Sequence, residues 1–144
     1  MSATSWTADE DFSLLLRALS LYDVAAASSA VGPGSRRTPK VVVVITGKGS
    51  GRAAFERRVA ELEQAWEWVR VRTEWLAIED YPLLLGELSS AWVETELIQV
   101  GAADLGISLH TSTSAADLPM KVVDMFGCGL PVCALDFAWC VVSL

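Results

Sequence analysis

Residues 41–73, VVVVITGKGSGRAAFERRVAELEQAWEWVRVRT, contain the pattern that decides the fold. The run from Val41 to Ile45 is continuously β-branched, which is typical of a strand buried on both faces. A glycine-rich turn then leads into a predicted helix, and a second strand alternates over 69–73. The apolar residues that share one face of this helix are Phe55, Val59, Leu62 and Trp66. A strand, a helix and another strand in this order predict a parallel pair with a crossover helix.

The remaining segments continue the same alternation. Thr7 to Glu10 form a predicted capping box, and the apolar residues after it recur at helical spacing to about Tyr22. Ser28 to Lys40 is a polar loop that contains Gly and Pro. Further predicted elements are a short helix over 80–88, a strand over 105–109, a helix over 119–128 and a strand over 131–135. The alternation predicts an α/β fold, a Rossmann-like, doubly wound open parallel sheet with helices on both faces.

Composition and charge argue against several classes of protein. The chain has 144 residues, 52% of them hydrophobic and 20% charged, which suits one domain with a core. The net charge of -7 argues against nucleic acid as a partner, because that interaction requires a basic face. No apolar run reaches the roughly 20 residues of a membrane-spanning helix, and the start lacks the features of a signal peptide. Clustered cysteines without metal-ligand spacing predict buried free thiols in a reducing, cytosol-facing protein: Cys128, Cys133 and Cys140.

The segment GKGSG at 47–51, called here the glycine turn, lies where a strand ends and a helix begins. Glycines let the backbone approach a ligand closely, and free amides at a helix start favour an anion such as a diphosphate. The spacing matches neither the dinucleotide-binding fingerprint nor a Walker loop. The glycine turn therefore predicts either an anion site or a plain strand-to-helix connection.

A second candidate segment, HTSTSAADLPMK at 110–121, leaves the carboxyl end of a predicted strand. Several hydroxyls precede a helix that has Asp117 as a candidate N-cap and Pro119 at its first position. Lys121 adds a positive charge in the first turn, where the helix dipole alone would not favour it. A phosphate ligand explains that placement, and the alternative is a capped helix with a solvated lysine.

Three other polar features each have two interpretations. Asp124 lies two helical turns after Asp117, so it could accept hydrogen bonds from sugar or ribose hydroxyls, or be a surface aspartate. His110 could act as a general base or as a donor to a developing phosphate charge, or it could be structural. Residues 9–11 spell the D-x-D pattern of metal-dependent sugar transferases. Because acids at a helix start complement its dipole, we interpret them as capping residues.

Five segments taken together resemble the β-1,4-mannosyltransferases that add the first mannose to chitobiosyl-diphosphodolichol. They fall in family order and cover most of the chain from Ser5 to Leu135. The last segment is highly specific, whereas GKG alone is a weak signal. The segments are SATSWTADEDFSLLL (2–16), VVVVITGKG (41–49), TEWLAIEDYPLLLG (73–86), ADLGISLHTSTS (103–114) and DLPMKVVDMFGCGLPVCAL (117–135).

The resemblance implies a GT-B glycosyltransferase that uses GDP-mannose and has two Rossmann-like domains around a cleft. Residues 1–144 would form part of its carboxy-terminal, nucleotide-sugar-binding domain. Such enzymes usually need no metal, so no cofactor is expected. The dolichol-linked chitobiose acceptor and the membrane anchor would belong to an amino-terminal domain outside this segment. The family works at the cytosolic face of the endoplasmic reticulum, where other mannosyltransferases are expected partners.

Residue by residue, the resemblance implies a donor site with no assigned catalytic base. Gly47 and Gly49 match a turn that approaches the donor. Asp124 matches the ribose-holding second acid of a paired-acid motif, and Asp117 stands one residue short of the first acid, which faces the donor sugar. Other expected donor contacts are Lys48, His110, Ser112, Ser114 and Lys121, with Thr4, Ser5, Trp6 and Thr7 on the opposite wall. The implied chemistry is stabilisation of the leaving diphosphate by amides, hydroxyls and one lysine.

The sequence departs from the family pattern in two internal places. Ala115 and Ala116 replace a Gly-Leu pair, and alanine strains this loop if the glycine has a positive φ. Residues 87–101, ELSSAWVETELIQVG, read as an insertion, and the chain is expected to end before the domain is complete. The expected function is GDP-mannose binding within the mannosyltransferase. The alternative is a catalytically inactive GDP-sugar-binding fragment or an interaction paralogue of that enzyme.

Overall fold

The computed structural model describes residues 2–3, 6, 10–29, 38–75, 103–110 and 120–135. The chain divides into two compact units. Thr4–Glu74 form the amino-terminal unit, and Met1–Ala3 with Trp75–Leu144 form the carboxy-terminal unit. The described elements are β1 (Ser2–Ala3), α1 (Phe12–Ser29), β2 (Val41–Thr46), α2 (Arg52–Leu62), β3 (Val69–Glu74), β4 (Gly106–Ser108), α3 (Met120–Gly127) and β5 (Val132–Ala134).

The amino-terminal unit contains the predicted strand–helix–strand motif. β2 and β3 pair in parallel, with Val41 opposite Val69 and Thr46 opposite Glu74. α2 connects the two strands, as predicted, but it ends at Leu62, so the buried Trp66 lies beyond the helix and not on its apolar face. The core of this unit consists of Leu15, Leu16, Leu19, Ala26, Val43, Val44, Ile45, Phe55, Val59, Trp66, Val69 and Val71, with Trp6 beside them. The prediction that β2 is buried on both faces is correct from Val43 onwards but wrong at Val42, which is 57% exposed.

α1 begins later and ends later than its sequence pattern predicts. The residue before it, Asp11, caps the helix, because its Oδ1 accepts the N–H of Ser13 at 2.9 Å and the Ser13 hydroxyl at 2.6 Å. This bears out capping for one acid of the D-x-D pattern. The predicted capping box is wrong at Glu10, which precedes α1 and does not lie in its first turn, and Thr7 lies outside the described residues. The Ser13 hydroxyl and N–H hold the pKa of the Asp11 carboxyl below its usual range.

The second half of α1 contains a buried aspartate, Asp23, which interrupts the apolar pattern of the helix. Asp23 is 7% exposed, and its Oδ1 accepts the backbone N–H groups of Glu67 and Trp68 at 3.0 and 2.6 Å. These bonds join the second half of α1 to the turn before β3. The helix therefore continues to Ser29, and the loop predicted from residue 28 starts too early.

The carboxy-terminal unit contains a second parallel pair. Gly106 in β4 pairs with Val132 in β5, and α3 lies between these strands in the sequence. A Cβ added at Gly106 would meet the Sδ of the fully buried Met125 at 2.5 Å, so the glycine permits close packing of α3 on β4. The predicted helix over 119–128 and the flanking strands are confirmed to within one residue at each end. The α/β class with parallel strands is therefore confirmed.

Two further predictions concern the thiols and the membrane. Cys128 and Cys133 are free thiols, but both are exposed, so the expectation of burial is wrong for them. Cys140, the helix predicted over 80–88 and the insertion over 87–101 lie outside the described residues. None of the described helices has both the length and the apolar character needed to cross a membrane.

Candidate functional site

The glycine turn begins at a residue whose backbone is fully committed to the fold. Gly47 has a φ of 148°, a conformation that side-chain-bearing residues rarely adopt. Its N–H donates to the Glu74 carbonyl at 3.1 Å, and its carbonyl accepts the indole N–H of Trp6 at 3.1 Å. Both of its backbone groups therefore hold the turn in place, and the donors for a ligand have to come from the residues that follow.

An aromatic cluster formed by Trp6, Phe12 and Phe55 packs against the glycine turn through Trp6. The ring of Trp6 stacks on Phe12 with centroids 4.9 Å apart and lies 5.2 Å from Phe55, while Phe12 and Phe55 are 5.3 Å apart. Trp6 is only 7% exposed, so its ring belongs to the core. Its indole N–H donates to the Gly47 carbonyl. Phe12 and Phe55 thus fix the turn through Trp6. The helical spacing of Phe12 and Phe55 indicates core positions, but nothing in the local sequence indicates that either ring supports the site.

The residues after Gly47 offer backbone donors. The N–H groups of Gly49, Ser50 and Gly51 have no hydrogen-bond partner within the described residues. Gly51 is the N-cap of α2 with φ -71°, and no side chain caps this helix. A Cβ at Gly51 would lie 3.2 Å from the backbone carbonyl oxygen of Trp6, so close packing, and not an unusual φ, favours glycine here. A helix start with free amides is chemically suited to a phosphate or another anion.

The two basic side chains near the start of α2, Lys48 and Arg52, differ in exposure and in the bonds that they make. Lys48 is exposed on the glycine turn. Arg52 is committed to the protein, because its Nε contacts Glu56 Oε1 at 2.7 Å and its terminal nitrogen donates to the Thr73 carbonyl at 2.8 Å. The Thr73 hydroxyl and then Arg52 hold the pKa of the Glu56 carboxyl below its usual range. Lys48 is the basic side chain within the glycine turn itself.

The carboxy-terminal unit holds three more of the predicted site residues. His110 lies two residues beyond β4 and is half-buried. Lys121 is the second residue of α3 and is half-buried, and Asp124 lies three residues further on and is exposed. Residues three apart are neighbours on a helix surface, so Lys121 and Asp124 are adjacent there. The other predicted contacts lie outside the described residues: Thr4, Ser5, Thr7, Ser112, Ser114 and Asp117.

The part of the chain that the structure describes contains no group of three or more His, Cys, Asp or Glu residues that could hold a metal ion. Glu10 is buried at 9% exposure, and Asp11 is engaged in capping α1. Among these residues, the donors for an anion are backbone amides and basic side chains.

Comparison with known proteins identifies the relatives of the chain. It is 46% identical over 137 residues to the chitobiosyldiphosphodolichol beta-mannosyltransferase of Homo sapiens, an alignment that covers 95% of this chain and 25% of the relative. The enzyme of the same name from Debaryomyces hansenii is 44% identical over 95% of this chain and 24% of its own length. The chain is homologous to part of the chitobiosyldiphosphodolichol beta-mannosyltransferases.

A further relative has a different name. The protein named UDP-glycosyltransferase TURAN of Arabidopsis thaliana is 44% identical over 151 residues, which cover 100% of this chain and 29% of the relative. The chain thus spans about a quarter of the length of the chitobiosyldiphosphodolichol beta-mannosyltransferases and somewhat more of TURAN. No family model and no solved structure matches the chain.

Proposed function

We propose that this chain binds GDP-mannose as part of the donor domain of a chitobiosyldiphosphodolichol β-1,4-mannosyltransferase with the GT-B fold. The observation that carries the proposal is the glycine turn at the carboxyl end of β2. There the N–H groups of Gly49, Ser50 and Gly51 have no partner within the described residues, and no acidic residue occupies the first turn of α2. Amides in this arrangement favour the diphosphate of a nucleotide sugar.

The proposed chemistry is stabilisation of the leaving group. Transfer of mannose breaks the bond between the sugar and the diphosphate, so negative charge develops on the departing GDP. Fixed N–H donors and a lysine stabilise that charge without reorganising during the reaction. We assign this role to the glycine turn and to Lys121, and we assign the ribose hydroxyls to Asp124. Because these donors need no metal, mannose transfer by the whole enzyme is expected to persist in EDTA.

The remaining elements of the proposal concern the whole enzyme. The relatives are about four times as long as this chain, and we propose that their additional length holds the dolichol-linked chitobiose acceptor. The site of action is proposed to be the cytosolic face of the endoplasmic reticulum, together with other mannosyltransferases. Transfer requires both substrates to be held together. The 144-residue chain by itself is therefore expected to bind donor without transferring mannose, and robust transfer by the purified chain would contradict this.

Isothermal titration calorimetry with GDP tests the binding proposal. The expected result is saturable heat with GDP and weaker heat with UDP at the same concentration. The UDP arm matters because one relative is named a UDP-glycosyltransferase. A folded sample that gives no heat with millimolar GDP would refute donor binding, and tighter binding of UDP would reassign the nucleotide.

The variant Lys121→Ala tests the phosphate contact separately. Hydrogen bonds to charged groups contribute about 1.5–3 kcal/mol, so the affinity for GDP should fall by about tenfold or more. Guanosine has no phosphates, and its affinity should not change. Lys40→Ala is the matched control, because Lys40 lies at the opposite end of β2 from the glycine turn, with its Nζ 5.8 Å from the Trp68 ring centroid. Equal losses for GDP and guanosine would show that Lys121 does not meet the phosphates.

A further inference from the structure

The outer edge of β3 presents the backbone groups of alternate residues. At the two ends of the β2–β3 pair, the N–H of Val41 donates to the Trp68 carbonyl at 2.8 Å, and the N–H of Gly47 donates to Glu74 at 3.1 Å. Backbone groups alternate in direction along a strand. In β3, those of the even-numbered residues therefore face β2 and those of the odd-numbered residues face away from it. Val69, Val71 and Thr73 therefore present their N–H and C=O groups at the outer edge. Within the described residues, no strand pairs with that edge.

Side chains of the same unit occupy four of these outward groups. The N–H of Val71 donates to Glu63 Oε1 at 2.8 Å. Three arginines donate to the outward carbonyls, each at 2.8 Å: Arg70 to Val69, Arg72 to Val71 and Arg52 to Thr73. All three outward carbonyls of β3, and the outward N–H of Val71, are thus already paired.

The capping side chains also hold one another. Arg72 lies 3.6 Å from Glu63, so the residues that bind the two groups of Val71 form an ion pair. Glu56 bonds both Arg52 and the Thr73 hydroxyl, which fixes the cap on the Thr73 carbonyl. These residues line a cleft of about 250 Å³ between α2 and β3. An incoming strand would have to displace charged side chains from bonds that they already make.

We infer that Arg52, Glu63, Arg70 and Arg72 close the outer edge of β3 against strand addition by a second copy of this chain. An uncapped edge is a template for pairing with the same edge of another molecule, and charged residues on edge strands oppose such pairing. In this unit the charged side chains act through hydrogen bonds to the edge backbone as well as through repulsion. The cap keeps a short parallel sheet from associating with itself.

Sedimentation velocity on the full chain tests this inference with the double variant E63A/R72A. It removes both caps from Val71 and leaves the net charge unchanged. The matched control is R58A/E61A, which deletes an exposed ion pair of α2 with the same charge balance and no bond to β3. The expected result is self-association of E63A/R72A at least about tenfold stronger than that of the wild type, with the control unchanged. A folded E63A/R72A that sediments like the control would overturn the inference.

Amide hydrogen exchange in the wild type supplies a test that requires no variant to fold. The Val71 N–H is capped by Glu63, whereas the Thr73 N–H also faces outwards and has no partner within the described residues. Val71 should therefore exchange at least about tenfold more slowly than Thr73, because exchange requires the hydrogen bond to open. Equal exchange of the two amides at the unfolded rate would show that the cap is not formed and would overturn the inference. Equal protection of the Val71 and Thr73 amides would show that another strand covers the edge, and this result would also overturn the inference.

Discussion

Replacing Trp6 with Phe tests how the glycine turn is held. Phe keeps an aromatic ring in the cluster with Phe12 and Phe55 but removes the indole N–H, which donates to the Gly47 carbonyl at 3.1 Å. Gly47 is buried, so its carbonyl loses its partner without gaining full access to water. An unsatisfied buried acceptor costs about 1–3 kcal/mol, and the smaller ring adds lost packing. The expected loss in the free energy of unfolding is about 2–4 kcal/mol.

Trp68→Phe is the control with the same chemical change. The indole N–H of Trp68 is buried and has no hydrogen-bond partner within the described residues. Its removal relieves an unpaired donor, which offsets the lost ring contact, so the expected change is below about 1 kcal/mol. Urea unfolding followed by far-ultraviolet circular dichroism gives both values, and amide exchange of β2 reports on the amino-terminal unit by itself. Equal destabilisation by the two substitutions would refute the role of the Trp6–Gly47 bond.

Two other predictions concern packing and capping. Gly106→Ala should destabilise the carboxy-terminal unit by about 1–3 kcal/mol, because the new Cβ meets buried Met125. Gly127→Ala, where a Cβ meets nothing within 4 Å, should have little effect in the same urea titration; equal effects would contradict the role of this contact. Asp11→Ala should weaken α1. Because the folded-state pKa of Asp11 is lowered, its contribution is complete above the unfolded pKa of about 3.9 and is lost as pH falls through the folded value. Unfolding curves at several pH values should therefore show the variant and wild type converging in acid, and a difference that grows in acid would contradict the assignment.

The sequence predicts β2 to β5 and α2 well because their apolar patterns are continuous, whereas β1 (Ser2–Ala3) has no such pattern and is not predicted. β2 is a β-branched run, and Phe55 and Val59 repeat at helical spacing. The limits of α1 are less predictable, since they depend on distant partners. Asp23 reads as a polar break in the apolar pattern, but it is buried because it accepts two N–H groups about 45 residues away.

The candidate site shows the same division. Gly47 and Gly49 stand out in the sequence because glycines directly after a buried strand mark a tight turn or a close approach of the backbone. The support for the turn is not predictable from local sequence, because Trp6 reaches Gly47 across 41 residues. The resemblance implies that Trp6 lines the donor wall, and that stays a prediction; the structure adds that its indole N–H bonds to Gly47 and that its ring is buried. Gly51 likewise reads as a flexible residue, whereas the close approach of the Trp6 carbonyl is what favours glycine there.

The amides of the glycine turn are proposed to bind the diphosphate of the donor, and this is the step on which the proposed function depends. It can be observed directly by titrating the ¹⁵N-labelled chain with GDP and following the backbone amide shifts in NMR spectra. We expect saturable shifts at Gly49, Ser50 and Gly51, with much smaller changes when guanosine replaces GDP. Saturable GDP binding that leaves these three amides unmoved would contradict the proposed role of the turn.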